Sequence, residues 1–377
     1  MSGDGGKVAR IDLGALTANV AQARDLARGR ELIAVVKSDA YGHGVVPIAR
    51  SLLAAGCTRL AVLSVAEAAE LREAAVAAPI LVLAGVEDAR EAERAAALHL
   101  TPVLHHRGMV RLLAQAAEGA GVGLRVHVEI DTGMRRMGVS AEKADAFLEE
   151  VAACRGLELE GVFTHFACAD DPDPAVSLEQ LACFRRVLEA AESRRVRPPV
   201  IHIANSAGLL SGKPIADALP EATAVRPGLL LYGVRPARQL GREVRLRPVM
   251  SLRARVAQVR ELRPGDAVGY GAEFRADRAT RVATLSIGYA DGIPWSLGGR
   301  GRVVIRGRSR PIVGRVSMDY IGVDVGDDPV EIGDEAVLFG IDELPVEEVA
   351  ELAGTIPYEL LVRVGKRVPH EVVNAGV

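Results

Sequence analysis

Short apolar runs alternate with alanine-rich segments of helical period through the first two thirds of the chain, and this alternation strongly limits the fold. The apolar runs with the length of buried strands are residues 32–36, 60–63, 80–83, 100–103, 124–130, 159–163, 200–203 and 224–226. The segments of helical period include residues 16–28, 66–77, 88–97, 109–117, 141–153 and 178–195. Asp88 and Ser140 are candidate N-caps of two of these helices. Eight strand–helix units in about 230 residues predict an α/β fold with a TIM-like (β/α)8 barrel, not an open sheet.

The pattern changes past residue 240, where apolar and polar residues alternate with the period of strands. These stretches are residues 250–262, 282–287, 303–306, 316–325 and 336–339. They predict a mostly antiparallel β domain with one short helix near 346–353. The glycine-rich run 298–301 does not lie between a strand and a helix, so we interpret it as a loop. The expected domains are therefore a barrel over residues 1–240 and a β domain over 241–377.

Charge, hydropathy and cysteine spacing exclude several classes of function. The net charge of the chain is -3 and no basic stripe is visible, so nucleic acid is not an expected partner. The N-terminus is polar and lacks the apolar segment of a signal peptide, and no apolar run reaches transmembrane length, so we expect a cytoplasmic protein. No cysteine pair has the spacing of a zinc site, and His105-His106 has no nearby carboxylate cluster, so we expect no metal.

Lys37 ends the first predicted strand and is followed at once by a turn containing Gly42 and Gly44. An amine at the rim of a buried sheet is partly desolvated, so its pKa falls and it can form a Schiff base with an aldehyde. The alternative interpretation is a surface lysine that marks the end of a strand.

Polar residues follow four more of the predicted strands, and in a barrel these carboxyl ends form the active site. They are Asp131 and Arg136 after strand five, His165 after strand six, Asn205 and Ser206 after strand seven, and Arg226 and Gly228 after strand eight. Loop glycines together with a serine hydroxyl suit a bound phosphate. A reactive lysine beside a phosphate site indicates pyridoxal 5'-phosphate (PLP) as the cofactor.

The segment Val36-Lys37-Ser38-Asp39-Ala40-Tyr41-Gly42-His43-Gly44 resembles the PLP signature of bacterial alanine racemases, which are PLP-dependent enzymes of fold type III. Further motifs similar to this family occur in order at residues 131–136, 202–207, 226–228, 232–233, 269–271, 287–292, 314–319, 357–359 and 367–369. The resemblance covers nearly the whole chain. It implies the interconversion of L- and D-alanine, with D-alanine supplied to cell-wall peptidoglycan.

The resemblance also implies a role for each matching residue. Lys37 would hold PLP and act as one acid/base, and Tyr270 would act as the second from the partner subunit of a head-to-tail homodimer. Arg226 would face the pyridine nitrogen, and His165 would pack on the ring and connect Tyr270 to Arg226. The residues implied to bind the phosphate are Tyr41, Ser206 and Tyr358, together with the backbone amides near Gly228 and Leu229. Asn205 is also implied to bind the cofactor. Those implied to orient the substrate or support the site are Arg136, Met318 through its backbone, Tyr289 and Asp319.

Two further expectations concern charge. Tyrosine is a weak base near neutral pH unless its pKa is lowered. We expect Arg136 and His165, as nearby cations, to lower the pKa of Tyr270. Glu129 stands where the family often has a carbamylated lysine, which is an anion that fixes the substrate-binding arginine. Glu129 brings its own carboxylate on the strand face of Asp131, so we predict that it pairs directly with Arg136.

Three alternatives remain open. The first alternative is a racemase of broader specificity, acting for example on serine. It is suggested by Ser317, which stands where a cysteine is frequent in the family, and by Phe274, which stands where an aromatic hydroxyl is common. A PLP barrel decarboxylase or D-amino acid lyase is the second, since neither needs a second base such as Tyr270. A non-catalytic PLP-carrying barrel is the third, although such proteins lack a C-terminal β domain.

Overall fold

A computed structural model describes residues 6–212 and 218–375 of the chain. The first strand, β1 (Lys7–Asp12), belongs to a second sheet, and the barrel begins with the strand that follows it. The strands of the barrel region are β2 (Glu31–Val35), β3 (Arg59–Val62), β4 (Ile80–Val82), β5 (Thr101–Leu104), β6 (Leu124–Asp131), β7 (Val139–Ser140), β8 (Leu157–Phe163), β9 (Val200–Ile203) and β10 (Ala224–Val225). All are paired in parallel. Because β5 pairs with β6 and β10 pairs with β2, eight strands of the described residues close into a barrel. The short strand β7 pairs only with β6. The predicted (β/α)8 barrel and all eight of its strands are confirmed.

Helices cover the outside of the barrel. They span Leu13–Ala27, Val45–Ala54, Val65–Glu73, Ala89–Ala97, Arg107–Ala120, Ala144–Ala152 and Ala175–Ser193, with a short one at Ser206–Leu210. The helix Val45–Ala54 was not predicted. Asp88 caps its helix by accepting a hydrogen bond from the backbone N–H of Glu91. Ser140 instead precedes a 3-10 turn and its side chain makes no capping hydrogen bond, so this part of the helix prediction is wrong.

The second sheet is mostly antiparallel, as predicted, and contains eight strands within the part of the chain that the structure describes. They are β1 together with β11 (Met250–Leu262), β14 (Thr280–Leu285), β15 (Arg302–Ile305), β16 (Arg308–Val313), β17 (Ile321–Asp324), β18 (Glu335–Phe339) and β19 (His370–Val373). A small hairpin of β12 (Ala267–Val268) and β13 (Phe274–Arg275) lies beside it. The strand β1 runs antiparallel to β11 and parallel to β19, so the start of the chain lies in the sheet of the C-terminal residues.

The C-terminal elements differ from the prediction in several places. The helix Val346–Ala353 has the predicted bounds, whereas β16, β19 and the helix Pro357–Arg363 were not predicted. Of the predicted strand 316–325, only Ile321–Asp324 is extended, because the preceding residues form a turn in which the Ser317 hydroxyl accepts a hydrogen bond from the Tyr320 N–H.

The helix Pro357–Arg363 brings the C-terminal region to the barrel rim. A Cβ atom at Gly42 would collide with the carbonyl oxygen of Leu361, so this position of the rim requires glycine. Buried apolar residues of both regions form one continuous core. The rim segment that follows β2 is therefore held from below by the barrel and from above by this helix.

Candidate active site

The segment after β2 forms a turn of left-handed backbone, which is rare for residues other than glycine. Ser38, Asp39, Ala40 and Tyr41 have φ angles of 54°, 52°, 53° and 55°, a conformation that costs roughly 1–2 kcal/mol per residue. Two carboxylates hold the turn in place. Asp39 accepts a hydrogen bond from the Val45 N–H at 2.6 Å, and Glu67 accepts one from the Ser38 N–H at 2.8 Å. Such a strained turn, fixed by its surroundings, is typical of a functional site.

Lys37 opens this turn and lies half-buried at the rim of the barrel. Burial lowers the pKa of its amine, the charge of Arg136 lowers it further, and Glu67 opposes the change. The amine is therefore a free base at lower pH than an ordinary lysine, which is the state needed to attack an aldehyde.

The buried ring of Tyr41 lies close to Gly228, to which Ser206 is hydrogen-bonded, and to the partly buried Tyr358. The Ser206 hydroxyl accepts hydrogen bonds from the backbone N–H of Gly228 at 2.9 Å and of Leu230 at 3.1 Å. A Cβ atom at Gly228 would lie 2.5 Å from the Tyr41 hydroxyl, so only glycine leaves room for that ring. The rings of Tyr41 and Tyr358 lie 6.1 Å apart. Burial raises the pKa of both phenols, that of Tyr358 to about 12, so both hydroxyls remain protonated donors.

Asn205 has a structural role in this region. Its side chain accepts a hydrogen bond from the Gly208 N–H at 3.0 Å and caps the short helix Ser206–Leu210. This cap fixes the backbone of Ser206 beside Gly228.

Arg226 lies deep in the mouth of the barrel, where only 4% of it is exposed. Its guanidinium donates hydrogen bonds to the Thr164 carbonyl at 2.8 Å and to Nδ1 of His202 at 2.9 Å, and it lies 4.5 Å from the centre of the Phe163 ring. Burial lowers the pKa of Arg226 to about 10, and Glu129 opposes this. Arg226 is therefore a cation at neutral pH, held in a fixed orientation.

His165 is neutral, and the expectation that it acts as a cation is wrong. Burial, followed by the charges of Arg226, Arg136 and Lys37, lowers the pKa of His165 to about 3. Nη2 of Arg226 lies 3.4 Å from Nδ1 of His165 and is a donor, so the imidazole carries its hydrogen on Nε2. His165 thus offers one N–H donor to a neighbour on the side away from Arg226.

Glu129 does not form the predicted ion pair with Arg136. Its carboxylate is buried and lies 3.4 Å from Nδ1 of His105, which follows the adjacent strand β5. Burial raises the pKa of Glu129, against the opposing charges of Arg226 and Arg136. Arg136 lies in an exposed loop and makes no ion pair with any residue in 6–212 or 218–375. Arg136 therefore affects Glu129 through its charge and not through a direct contact.

The predicted residues of the β region lie on an exposed face. Tyr270 is 72% exposed and lines a surface groove of about 510 Å³ together with Arg315, Ser317 and Tyr320. No hydrogen bond or ring contact between described residues joins Tyr270 to Lys37 of the same chain. The barrel residues predicted from the strand ends therefore come together, whereas Tyr270 lies elsewhere on the molecule.

The loop that carries Tyr289 packs tightly on the turn that carries Met318. The Tyr289 N–H donates to the Ser317 carbonyl at 3.0 Å, and a Cβ at Gly288 would collide with the Met318 carbonyl. Asp319 forms an ion pair with Arg367 at 2.6 Å that fixes the far side of this turn. Tyr289 and Met318 are 45% and 52% exposed, so they extend the same uncovered face.

Sequence reasoning missed the polar interior of the barrel. His127 of β6 contacts both His202 of β9 and Glu160 of β8. The only sequence signal was a polar residue inside an otherwise apolar strand. Across residues 6–212 and 218–375, no three or more histidines, cysteines or carboxylates cluster in a way that would hold a metal ion, and no helix has the length and apolarity to cross a membrane.

The closed barrel, its rim of lysine, arginine and hydroxyl groups, and the second sheet define a two-domain barrel enzyme. The chain matches the family models of the alanine racemase N-terminal domain over residues 11–236 and of the alanine racemase C-terminal domain over residues 249–372. The chain therefore belongs to the alanine racemase family, whose members are isomerases and generally depend on PLP.

Individual relatives agree with this assignment over nearly their full length. The chain is 41% identical over 370 residues to the alanine racemase of Desulfovibrio desulfuricans, covering 97% of this chain and 98% of that protein. It is 42% identical over 363 residues to the alanine racemase of Syntrophobacter fumaroxidans, covering 94% of each. The crystal structure of alanine racemase from Streptomyces lavendulae superposes with a TM-score of 0.92 at 37% identity, covering 98% of this chain and 97% of that one.

Proposed function

We propose that this protein interconverts L- and D-alanine with PLP held on Lys37. The observation that carries the proposal is the group of cations at one barrel rim: the Lys37 amine and Arg136 at the surface, and Arg226 in the mouth. A cofactor with a phosphate and a substrate with a carboxylate are both anionic, so this rim attracts both.

The residues present fit PLP. The amine with lowered pKa suits the aldehyde, and the protonated phenols of Tyr41 and Tyr358 suit the phosphate. The Ser206–Gly228 hydrogen bond lies beside the Tyr41 hydroxyl. When bound, the cofactor supplies an electron sink that makes loss of the Cα proton feasible. Arg226 would lie opposite the ring nitrogen, where a permanent cation donates a hydrogen bond without giving up its proton.

Arg136 would orient the substrate through its carboxylate. Its guanidinium is exposed and makes no ion pair within residues 6–212 and 218–375, so its donors are available to a carboxylate ligand. The backbone at Met318 and the ring of Tyr289, both of the partner subunit, would close the other side of the substrate site.

Two acid/base groups would serve opposite faces of the substrate. Lys37 would exchange the proton on one face, and Tyr270 of the partner subunit would do so on the other, because racemisation needs a proton donor on each side. The exposed face of Tyr270, Met318 and Tyr289 supports a head-to-tail homodimer, since large apolar surface of this kind marks interfaces. The Nε2 hydrogen of His165 would then stabilise the oxygen of the partner's Tyr270 when it is deprotonated.

In the cell, we propose that the enzyme acts in the cytoplasm and supplies D-alanine for peptidoglycan. Ser317 lines the Tyr270 groove, so a racemase that also accepts serine is the second candidate. Initial rates with L-alanine and L-serine, compared as kcat/KM, separate the two candidates.

Subunit mixing tests the shared active site. Lys37→Ala and Tyr270→Phe should each abolish racemisation, and mixing the two inactive proteins under conditions of subunit exchange should restore activity. Half of the dimers are then mixed and one of their two sites has both bases, so about one quarter of wild-type activity is expected. No recovery on mixing, with mixed dimers shown to form, would refute a site shared between subunits.

Proton exchange in D2O tests the two-base assignment. The wild type should replace the Cα hydrogen of both enantiomers, whereas Tyr270→Phe should retain exchange for only one enantiomer because Lys37 still serves one face. Tyr320→Phe, in the same groove, and Lys143→Ala, on the surface, are matched controls that should behave as the wild type. Exchange without inversion in the wild type would instead favour a lyase.

A further inference from the structure

A chain of hydrogen-bonded polar groups fills the barrel interior below Arg226. Nη1 of Arg226 lies 2.9 Å from Nδ1 of His202, and Nε2 of His202 lies 2.8 Å from Nδ1 of His127. Nε2 of His127 lies 3.0 Å from Glu160, which also accepts a hydrogen bond from Arg59 at 2.7 Å. Both imidazoles are buried, and Glu160 is 6% exposed. These groups form a continuous polar path through an otherwise apolar core.

The path runs from one end of the barrel to the other. Arg226 follows the carboxyl end of β10, where the active site lies. Arg59 is the first residue of β3 and forms an ion pair at 2.9 Å with Glu31, the first residue of β2. The path therefore connects the catalytic rim to the opposite, amino end of the barrel strands.

The two ends of the path determine the direction of every hydrogen bond in it. A guanidinium can only donate, so Nδ1 of His202 accepts from Arg226. Burial lowers the pKa of both imidazoles, so each carries one hydrogen. The hydrogen of His202 is then on Nε2 and is donated to Nδ1 of His127, whose own hydrogen is on Nε2 and is donated to Glu160.

Glu160 completes this order because it is a carboxylate. Burial raises its pKa, but the hydrogen bonds and charges of His127 and Arg59 outweigh burial and bring the pKa to about 2. An ionised carboxylate is an acceptor only, so it cannot reverse the direction of the path.

The backbone is shaped to place these side chains. Val126 of β6 is paired with Leu159 of β8, but the next residue, His127, is paired with Gly161, so Glu160 is the extra residue of a β-bulge. A Cβ atom at Gly161 would lie 2.5 Å from two ring atoms of His127, so only glycine leaves space for the imidazole. The bulge and the glycine together bring Glu160 within reach of His127.

We infer that Glu160 is a positioning residue for the reaction. Acting through His127 and His202, its carboxylate fixes the His202 tautomer in which Nδ1 accepts a hydrogen bond from Arg226. This hydrogen bond holds Arg226 as a donor towards the cofactor ring. The inference rests on the proposed function. Successive hydrogen bonds that point the same way polarise one another, which makes Nδ1 of His202 a stronger acceptor. In the opposite tautomer, an N–H of His202 would face the N–H groups of Arg226 and displace the guanidinium.

The test is the 15N NMR spectrum of the histidine rings in the holoenzyme, together with steady-state kinetics. Signals of His127 and His202 are assigned from single His→Asn variants. In the wild type both rings should carry hydrogen on Nε2 and none on Nδ1. Glu160→Gln keeps the side-chain shape, removes the charge and adds a donor, so the reversed tautomer of His127 should become populated and kcat should fall about tenfold. Glu158→Gln, on the same strand but exposed, should change neither.

Several results would overturn the inference. These are hydrogen on Nδ1 of either ring in the wild type, wild-type kcat in Glu160→Gln, or a lower kcat in that variant without a change of tautomer. If Glu160→Gln fails to fold, the 15N NMR tautomers of His127 and His202 in the wild type alone decide whether the inference stands. Absence of alanine racemisation in the wild type would refute the proposed function instead, because the ring tautomers are measured independently of turnover.

Discussion

Replacement of Gly228 by alanine tests whether the phenol of Tyr41 belongs to the cofactor site. The new Cβ would lie 2.5 Å from the Tyr41 hydroxyl oxygen and 3.1 Å from its Cζ. The hydroxyl cannot turn aside on its own because it is at the end of a rigid ring, and that ring packs 5.0 Å from the ring of Tyr232. The clash is therefore relieved only if the whole ring shifts away from Gly228.

The size of the effect follows from this geometry. Overpacking of this kind costs about 1–3 kcal/mol. The cofactor-free protein can relax by moving Tyr41, whereas binding of the phosphate requires the Tyr41 hydroxyl in its original place. The free energy of overpacking therefore appears as a higher Kd for the cofactor. We expect Gly228→Ala to bind PLP roughly 5- to 150-fold more weakly, since each 1.4 kcal/mol is tenfold.

The assay is titration of cofactor-free protein with PLP, followed by absorbance. Gly119→Ala is the matched control because it makes the same chemical change at an exposed position of the helix Arg107–Ala120, where a Cβ meets nothing within 4 Å. The control should bind PLP as the wild type does. A wild-type Kd in Gly228→Ala would show that Tyr41 does not take part in cofactor binding.

Three further predictions concern single groups of the rim. Ser206→Ala leaves two buried backbone N–H donors without their acceptor, so the free energy of unfolding in urea should fall by about 1–3 kcal/mol. Arg136→Gln removes a positive charge that lowers the pKa of Lys37, so this pKa should rise. The pH midpoint for acylation of Lys37, measured by mass spectrometry on cofactor-free protein, should then move to higher pH; an unchanged midpoint would contradict this. Glu129→Gln should leave the KM for alanine unchanged because this carboxylate contacts His105 and not Arg136; a large rise in KM would indicate a direct role in binding.

The strand ends of the barrel could be predicted from the sequence because the relevant signals are local. Each strand is a short apolar run, and parallel strands in a barrel bring their carboxyl ends to one rim. Lys37, Ser206 and Arg226 therefore come together as the sequence predicted. The charge state of His165 could not be predicted in this way, because it depends on burial and on cations from other strands.

One of the missed elements has partners that are distant in sequence. β1 pairs with residues of β11 and β19, which lie more than 200 positions away, so its short sequence shows no local sign of the second sheet. The missing ion pair of Glu129 has a similar origin. Strand periodicity places Glu129 and Asp131 on one face, but it does not show that His105, which follows the neighbouring strand, is the residue that lies against Glu129.

The bulge in β8 shows why the barrel interior is the hardest part to predict. Strand periodicity assigns side chains to alternate faces, and a shift of one residue reverses the assignment for everything beyond it. Whether Glu160 faces His127 is decided by the pairing of β8 with β6, which the sequence of β8 alone does not contain. Gly161 is the one local trace, because a strand glycine often marks a bulge or a close approach. A carboxylate followed by glycine within a barrel strand, with a histidine on the adjacent strand, is therefore a pattern that predicts a polar path to the active site.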